Sequence, residues 1–126
     1  MGLGFAAIGG FFGWFLGGLD GFIYVLIAFV TVDYLTGVLR ATVEKELSSR
    51  IGAQGIAKKV TIFLIIGAVH LVDLYLLGSS EALRTTIIFF YISKEGISIL
   101  ENAAVIGLPV PKKLKDVLMQ LQNDKE

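Results

Sequence analysis

The stretch "GFIYVLIAFVTVDYLTGVLR", residues 21–40, decides the fold class, because a carboxylate at Asp33 interrupts an apolar run long enough to cross a bilayer. A transmembrane helix needs about 20 mostly apolar residues to cross roughly 30 Å of hydrocarbon. The whole chain of 126 residues is 55% hydrophobic, with a mean hydropathy of +0.77. That is more apolar side chain than so small a core can bury, so the sequence predicts an integral membrane protein.

Working outward from this stretch, the apolar runs predict three principal transmembrane helices, at residues 22–40, 60–78 and 82–107. The alternating ten-residue pattern of a membrane barrel is missing, so we expect α-helices in a single membrane domain over residues 1–126. The apolar, Gly-rich N-terminal segment, residues 1–21, has no basic region typical of a signal peptide, and we expect it to be retained. Three alternatives stay open for it: a fourth span, an interfacial helix, or half of a hairpin.

The distribution of basic residues predicts the orientation. A basic loop at residues 41–59 and the lysine-rich C-terminus are expected in the cytoplasm of a bacterium, which places the linker at residues 78–81 outside. Residues 111–122 predict an amphipathic helix, with Leu114, Val117, Leu118 and Leu121 at helical spacing, either on the membrane surface or docked on a partner. The basic residues predicted to lie at the membrane surface are Lys58, Lys59, Lys112, Lys113 and Lys115.

Glycine spacing suggests close helix packing. Gly9, Gly13 and Gly17 repeat every four residues, which would form a groove without side chains along one helix. The alternative is a flexible, poorly helical leader. In the second segment, Gly37 is expected to allow close approach of a neighbouring helix.

Polar residues inside the apolar segments recur on helix faces. Asp33 shares a face with Thr36 and Arg40, and His70 and Asp73 lie one turn apart, where they can interact directly. A charge at mid-bilayer costs on the order of 2.5–3.5 kcal/mol unless it is paired, protonated or hydrated. We therefore expect the polar groups on these faces to be paired with one another in one state and to line an aqueous path in another. The alternative is a purely structural role, in which they only hold neighbouring helices together. The predicted polar faces comprise Asp33, Thr36, Arg40, His70, Asp73, Arg84, Lys94, Glu95, Ser98, Glu101 and Asn102.

Several function classes are disfavoured by the sequence. The chain has no cysteine and a single histidine, and its carboxylates show no metal-ligand spacing, so no metal or cofactor site is predicted. Asp33 and Asp73 do not lie in a convincing protease context, no phosphate-binding loop is present, and no catalytic residue is predicted. Eleven basic residues balance eleven acidic ones, which gives no field that would attract nucleic acid.

Four blocks in order carry a resemblance to a known family: "DYLTGVLRA" at 33–41, "LSSRIGAQGIAKK" at 47–59, "HLVD" at 70–73 and "FFYISKEGISILENAAVIGLPVPKKL" at 89–114. Together they resemble the phage lysis holins of the type also associated with clostridial toxin secretion. Lys94, the fourth residue of "YISKEG", departs from the polar neutral residue expected before the shared "EGISILEN" core. The resemblance covers nearly the whole chain from Asp20 onward.

This resemblance implies a small multi-pass protein of the bacterial inner membrane that oligomerises and opens lesions. A muralytic enzyme (endolysin) or a large toxin would be released, without necessarily touching the protein, so the expected partners are further copies of the chain and the lipid bilayer. Two rival functions stay open. One is a small ion or proton channel, or a transport subunit, with His70, Asp73 and Glu95 as a relay. The other is a membrane adaptor or antiholin that forms no pore.

Overall fold

The computed structural model describes residues 2–78 and 81–125, without the side chains of residues 118 and 121–125. The described chain forms five helices and no strand: α1 (Gly2–Phe15), α2 (Gly21–Val43), α3 (Ser49–Tyr75), α4 (Ala82–Ile106) and α5 (Lys112–Lys125). The all-α prediction is confirmed. Part of the predicted outer linker, and the side chains of two residues on the predicted apolar face of the tail, lie outside the described residues.

Local capping explains where the helices begin and end. The Asp20 carboxylate accepts a hydrogen bond from the Ile23 N–H at the start of α2, and the Ser48 hydroxyl accepts one from the Ile51 N–H at the start of α3. Helix α4 stops where Gly107 takes a left-handed conformation, with φ of +115°. A residue with a side chain adopts this conformation only with strain, so glycine suits the position.

Two helices are long and apolar enough to cross a membrane, namely α2 with 23 residues and α3 with 27 residues. Their most apolar segments have mean hydropathies of 2.0 and 1.8. Helix α4 has 25 residues, enough in length, but it carries four charged side chains and does not meet the same measure of apolarity. Composition alone therefore does not identify α4, the predicted third span, as a transmembrane helix.

The predicted basic loop at residues 41–59 is wrong in its extent. Helix α2 continues to Val43 and α3 already begins at Ser49, so the connection is only residues 44–48. The cause is the hydroxyl cap at Ser48, which starts a helix whose first three turns are mostly exposed and polar. Those turns have the composition of a loop although they are helical, and they bring Lys58 and Lys59 onto α3.

The core lies between α2, α3 and α4. Helix α4 packs most extensively on α2 and also contacts α3 and α5, whereas α1 contacts only α3 among the described helices. Each central helix contributes aliphatic side chains at helical spacing. The buried apolar residues are Leu16, Ile23, Leu26, Val30, Ile62, Ile66, Ile88 and Ile92.

The predicted glycine groove on the N-terminal helix is not formed by one helix, because α1 ends at Phe15 and Gly17 lies in the turn with φ of +84°. A Cβ at Gly9 would meet open space, and one at Gly13 would contact only Leu19. Close approach occurs at Gly17, where a Cβ would lie 2.7 Å from Arg84 Nε and from His70 Nδ1, and at Gly67 of α3, where a Cβ would overlap the ring of Phe15. Gly37 is in ordinary contact, since a Cβ there would lie 3.8 Å from the side-chain nitrogen of Asn102.

Candidate functional site

Three charged side chains from three helices meet inside the bundle. The Lys59 ammonium of α3 pairs with the carboxylates of Asp33 on α2 and Glu95 on α4, at 2.8 Å from Glu95 Oε1. Both carboxylate side chains are only 5% exposed, and that of Lys59 is 21% exposed. Glu95 Oε1 forms no aligned hydrogen bond, so its contact with Lys59 is a charge pair. We call these three residues the Lys59 triad.

The triad forms because each of its members continues a core stripe by one more turn. On α2, Asp33 follows Val30 at a spacing of three residues. On α3, Lys59 precedes Ile62 by three residues, and on α4, Glu95 follows Ile92 by three. Since the three stripes meet in the core, the three charges meet next to it.

An amide extends this polar centre along α2. Asn102 Nδ2 donates to Asp33 Oδ1 at 3.1 Å and to Thr36 Oγ1 at 3.0 Å, and Arg40 Nη1 donates to Asn102 Oδ1 at 3.3 Å. Arg40 Nε also lies 3.3 Å from Glu44 Oε1. A chain of side-chain contacts therefore runs from the triad to the last turn of α2 and cross-links α2 to α4.

Lys59 lines several open cavities, two of which also include polar side chains of α4. The first, of about 200 Å³, lies between α2, α3 and α4 and includes Asp33, Ser98 and Asn102 in its lining. The second, of about 390 Å³, lies between α3 and α4 and includes Tyr91, Lys94 and Glu95. Lys59 lines both, so this side chain borders two spaces that can hold water.

A second polar cluster lies at the opposite end of the bundle. The guanidinium of Arg84, which is 1% exposed, donates to the carbonyl of Leu16 at 2.6 Å, to that of Gly18 at 3.1 Å, and to Asp20 Oδ2 at 2.9 Å. It thus satisfies two backbone carbonyls of the α1–α2 turn and one carboxylate. We call Arg84 with Leu16, Gly18 and Asp20 the Arg84 clamp.

Charge and hydrogen bonding act on Asp20 within this clamp. Burial works to raise the pKa of Asp20, but the hydrogen bond from Arg84 and the one from the Ile23 N–H outweigh it. The pKa of Asp20 is therefore held below its ordinary value. The ionised carboxylate is the form that the clamp stabilises.

Next to the clamp, Asp73 caps α4 and does not pair with His70. Its carboxylate accepts the backbone N–H of Arg84 at 2.7 Å and that of Leu83 at 3.3 Å. The expected direct contact between His70 and Asp73 is not formed. His70 Nδ1 is buried without a hydrogen-bond partner in the described part of the chain, and it lies 2.7 Å from where a Cβ on Gly17 would be.

The structure divides the predicted polar faces into two clusters and an exposed remainder. Asp33, Thr36, Arg40, Glu95, Ser98 and Asn102 lie around the triad, whereas His70, Asp73 and Arg84 lie around the clamp. Arg84 is therefore remote from Glu95 although sequence placed them on one stripe. Lys94 and Glu101 are exposed on α4, and the Lys94 ammonium lies 6.0 Å from the centre of the Phe90 ring.

Sequence reasoning missed Lys59 as the partner of both carboxylates and assigned it to the membrane surface with Lys58. The signal that could have found it is its spacing of three and seven residues from Ile62 and Ile66 on the same face. Lys112, Lys113 and Lys115 are exposed on α5, as a surface role requires. Across residues 2–78 and 81–125, no group of three or more potential metal ligands is assembled.

Comparison with known proteins assigns the family. Residues 10–123 match the sequence model of the bacteriophage holin family. The chain belongs to that family. This confirms the holin resemblance read from the ordered sequence blocks. As a holin family member, the chain is a membrane protein, and nothing about the family suggests catalysis.

Relatives of this holin family protein occur in several bacteria. It is 43% identical over 122 residues to an uncharacterized 14.9 kDa protein from the nagH 3′ region of Clostridium perfringens, covering 97% of this chain and 92% of that one. It is 42% identical over 117 residues to the uncharacterized protein Lmo0128 of Listeria monocytogenes, covering 93% and 81%. It is 34% identical over 102 residues to the uncharacterized protein YqxH of Bacillus subtilis, covering 81% and 72%. No solved structure matches the chain.

Proposed function

We propose that this holin family protein oligomerises in the bacterial cytoplasmic membrane and opens lesions that release a muralytic enzyme or a large toxin. The observation that carries the proposal is the Lys59 triad. It holds two buried carboxylates and one half-buried ammonium in a protomer whose outer surface is largely apolar. Such charges are tolerated in a membrane only when they are paired or hydrated, and they mark functional positions.

The proposed topology has three spans, α2, α3 and α4. The short connection at residues 44–48 and helix α5 are cytoplasmic, because Lys45 lies in the connection with Arg50 just after it, and lysines begin α5. Helix α4 joins the two more apolar helices as a span because Glu95, Asn102 and Arg84, three of its polar side chains, are satisfied by α2, α3 or the α1–α2 turn. Its remaining exposed charges then face other protomers, lipid headgroups or water.

Opening is proposed to separate charges that the single protomer keeps paired. Helix α3 contacts α2 much less than α4 does, so among the three proposed spans α3 is the one that packs least on its neighbours. Two unit charges 4 Å apart attract by about 1 kcal/mol in water but by several times more at low dielectric. A water-filled assembly would therefore lower the cost of separating Lys59 from Asp33 and Glu95, whereas a dry monomer would keep them together.

A small channel is the second candidate. The two cavities lined by Lys59 favour it, because one charged side chain borders two spaces that can hold water. A relay through His70 and Asp73 receives no support, since the Asp73 carboxylate is taken up by the backbone of α4. A channel of this kind would conduct small ions and retain folded proteins.

The test is expression from a tightly controlled promoter in a bacterium that also holds a cytoplasmic muralytic enzyme. Membrane potential and enzyme release are followed together, and insertion is confirmed by membrane fractionation. The holin proposal predicts abrupt depolarisation with release of folded enzyme. Depolarisation without release would show the narrow channel, and neither event would show an adaptor or antiholin.

Two variants connect this readout to the triad. Asp33→Leu and Glu95→Leu should insert but fail to release enzyme, because they remove the side chains that water would solvate in the open state. The matched control is Glu46→Leu, which removes an exposed carboxylate from the α2–α3 connection and should leave the timing unchanged. Release at the normal time in both triad variants would exclude the triad from opening.

A further inference from the structure

The larger cavity beside Lys59 has an uncommon distribution of charge. This α3–α4 cleft, of about 390 Å³, is lined by Lys58, Lys59, Lys94, Tyr91 and the carboxylate of Glu95, with Ile62 and Ile65 along its apolar side. Three lysines thus line a space that has one acidic side chain. Cavities of this size are typical of sites that bind small molecules or headgroups.

The one carboxylate does not neutralise the cleft. Glu95 lies 2.8 Å from Lys59, which is also paired with Asp33 on the inner side. Lys58 and Lys94 are exposed, and neither makes an ion pair with any residue that the structure describes. Two uncompensated cations from neighbouring helices therefore remain at the cleft, and they attract an anion.

The position of the cleft along α3 indicates what kind of anion it fits. Lys58 and Lys59 are the last charged residues before the apolar run at residues 60–72, which Asp73 ends, and Ile62 and Ile65 lie one and two turns further along. The cleft is therefore basic at one end and apolar at the other. A free inorganic anion would use only the basic end, whereas a phospholipid has a charged headgroup joined to apolar chains.

We propose that the α3–α4 cleft binds an anionic phospholipid, with its phosphate between Lys58 and Lys94 and an acyl chain along Ile62 and Ile65. Basic pockets between transmembrane helices on the cytoplasmic side are suited to such headgroups. This inference rests on the membrane topology of the proposed function, and it adds lipid composition as a factor acting next to the Lys59 triad. Carboxylates of a second copy of the chain are the rival occupant.

The test uses the full chain purified in dodecylmaltoside and native mass spectrometry with added phosphatidylglycerol or phosphatidylcholine. Wild-type protein should retain phosphatidylglycerol in preference to phosphatidylcholine. The double variant Lys58→Gln with Lys94→Gln should bind phosphatidylglycerol roughly 30-fold more weakly, which is about 2 kcal/mol or about 1 kcal/mol per lysine. The conservative pair Lys58→Arg with Lys94→Arg should retain binding.

The matched control is the double variant Lys45→Gln with Arg50→Gln, which removes the same charge from exposed positions outside the cleft. Its phosphatidylglycerol binding should remain within about twofold of wild type, as expected if general attraction is weak. Equal losses in both double variants would overturn the proposal, because binding would then depend on total charge.

Inorganic phosphate distinguishes the source of the anion. Displacement of phosphatidylglycerol by millimolar inorganic phosphate would overturn a lipid site, because the acyl chains would contribute nothing. Disulfide crosslinking of the Lys94→Cys variant to a second protomer in lipid-free micelles would show a protein occupant instead and would overturn the lipid site. These binding experiments involve no lysis, so lipid binding can fail while the proposed function stands, and the reverse also holds.

Discussion

Replacing Lys59 by methionine should destabilise the bundle strongly, because Lys59 is the cation that the structure places against both buried carboxylates of the triad. Methionine keeps the length and the apolar stem of lysine but removes its charge. Asp33 and Glu95, each 5% exposed, would then lie near one another without a counter-charge. Asp33 would keep the hydrogen bond from the Asn102 amide, which carries no charge.

The magnitude follows from the burial of the three groups. Removing one partner of a buried ion pair typically costs 3–5 kcal/mol, because a charge is left uncompensated. Since the Lys59 side chain is 21% exposed, water can reach part of the site, and we take the lower end, about 3 kcal/mol. That corresponds to about a 100-fold increase in the unfolded fraction.

The assay is reversible unfolding by sodium dodecyl sulfate in mixed micelles, followed by energy transfer between dyes on α3 and α4. The chain has no cysteine, so Gln54→Cys and Ala104→Cys, both at exposed positions, give two unique labelling sites. The control is Lys58→Met, the neighbouring exposed lysine that has no ion pair with a described residue. It should change the free energy of unfolding by at most about 0.5 kcal/mol.

A triple variant separates charge from packing. Combining Lys59→Met with Asp33→Asn and Glu95→Gln removes all three charges and should recover stability to within about 1 kcal/mol of the wild type, as buried ion pairs often can be replaced. If Lys59→Met costs no more than Lys58→Met, the triad contributes nothing to stability. If the triple variant is as unstable as Lys59→Met, the loss comes from packing and the electrostatic reasoning is refuted.

Three further predictions concern the other end of the bundle. Because the pKa of Asp20 is lowered in the folded protein, its contribution is present above the unfolded pKa of about 3.9 and is lost as pH falls through the folded pKa. In acid titrations followed by circular dichroism, Asp20→Asn should therefore lose less stability below about pH 4 than the wild type does. An unchanged dependence of stability on pH would exclude Asp20 as the source of that loss. Gly67→Ala should displace the ring of Phe15 and accelerate amide exchange in α1, at a cost of about 1 kcal/mol, and the same substitution should cost less in a Phe15→Ala background. Asp73→Ala should cost about 1–3 kcal/mol in the detergent titration because two N–H groups of the first turn of α4 lose their acceptor, and Asp73→Asn, which keeps one acceptor oxygen, should cost less.

The helices could be predicted from the sequence because hydrophobic runs and capping residues are local signals. The observed start of α2 at Gly21 and the end of α4 at Ile106 lie within one residue of the predicted bounds. The predicted extent of the α2–α3 connection is wrong because the first turns of α3 carry polar residues on several sides. Polarity alone does not distinguish an exposed helix from a loop.

The candidate site could be predicted only one helix at a time. Helical spacing places Asp33 with Thr36 and Arg40, and Glu95 with Asn102. In the structure, Asn102 contacts Asp33, Thr36 and Arg40, and Glu95 lies next to Lys59. Which cation faces the carboxylates depends on how α3 is rotated against α2 and α4, and that is a property of packing. Arg84 could not be assigned for a related reason. Two of its partners are backbone carbonyls of the α1–α2 turn, and a carbonyl has no sequence signature.

The spacing of the two polar clusters explains why the protein must pair its charges internally before any assembly forms. Thirteen residues of chain separate Asp20 in the clamp from Asp33 in the triad, which is about 20 Å along a helix. A bilayer's hydrocarbon core is about 30 Å thick, so in the proposed topology both clusters cannot lie at its two surfaces unless the bilayer thins. At least one cluster then lies inside hydrocarbon, where an unpaired charge opposes insertion. The internal pairing by Lys59 and Arg84 is therefore a condition for insertion as a monomer. Opening of the proposed lesion has to replace those contacts with water, which a single protomer cannot enclose and an assembly can.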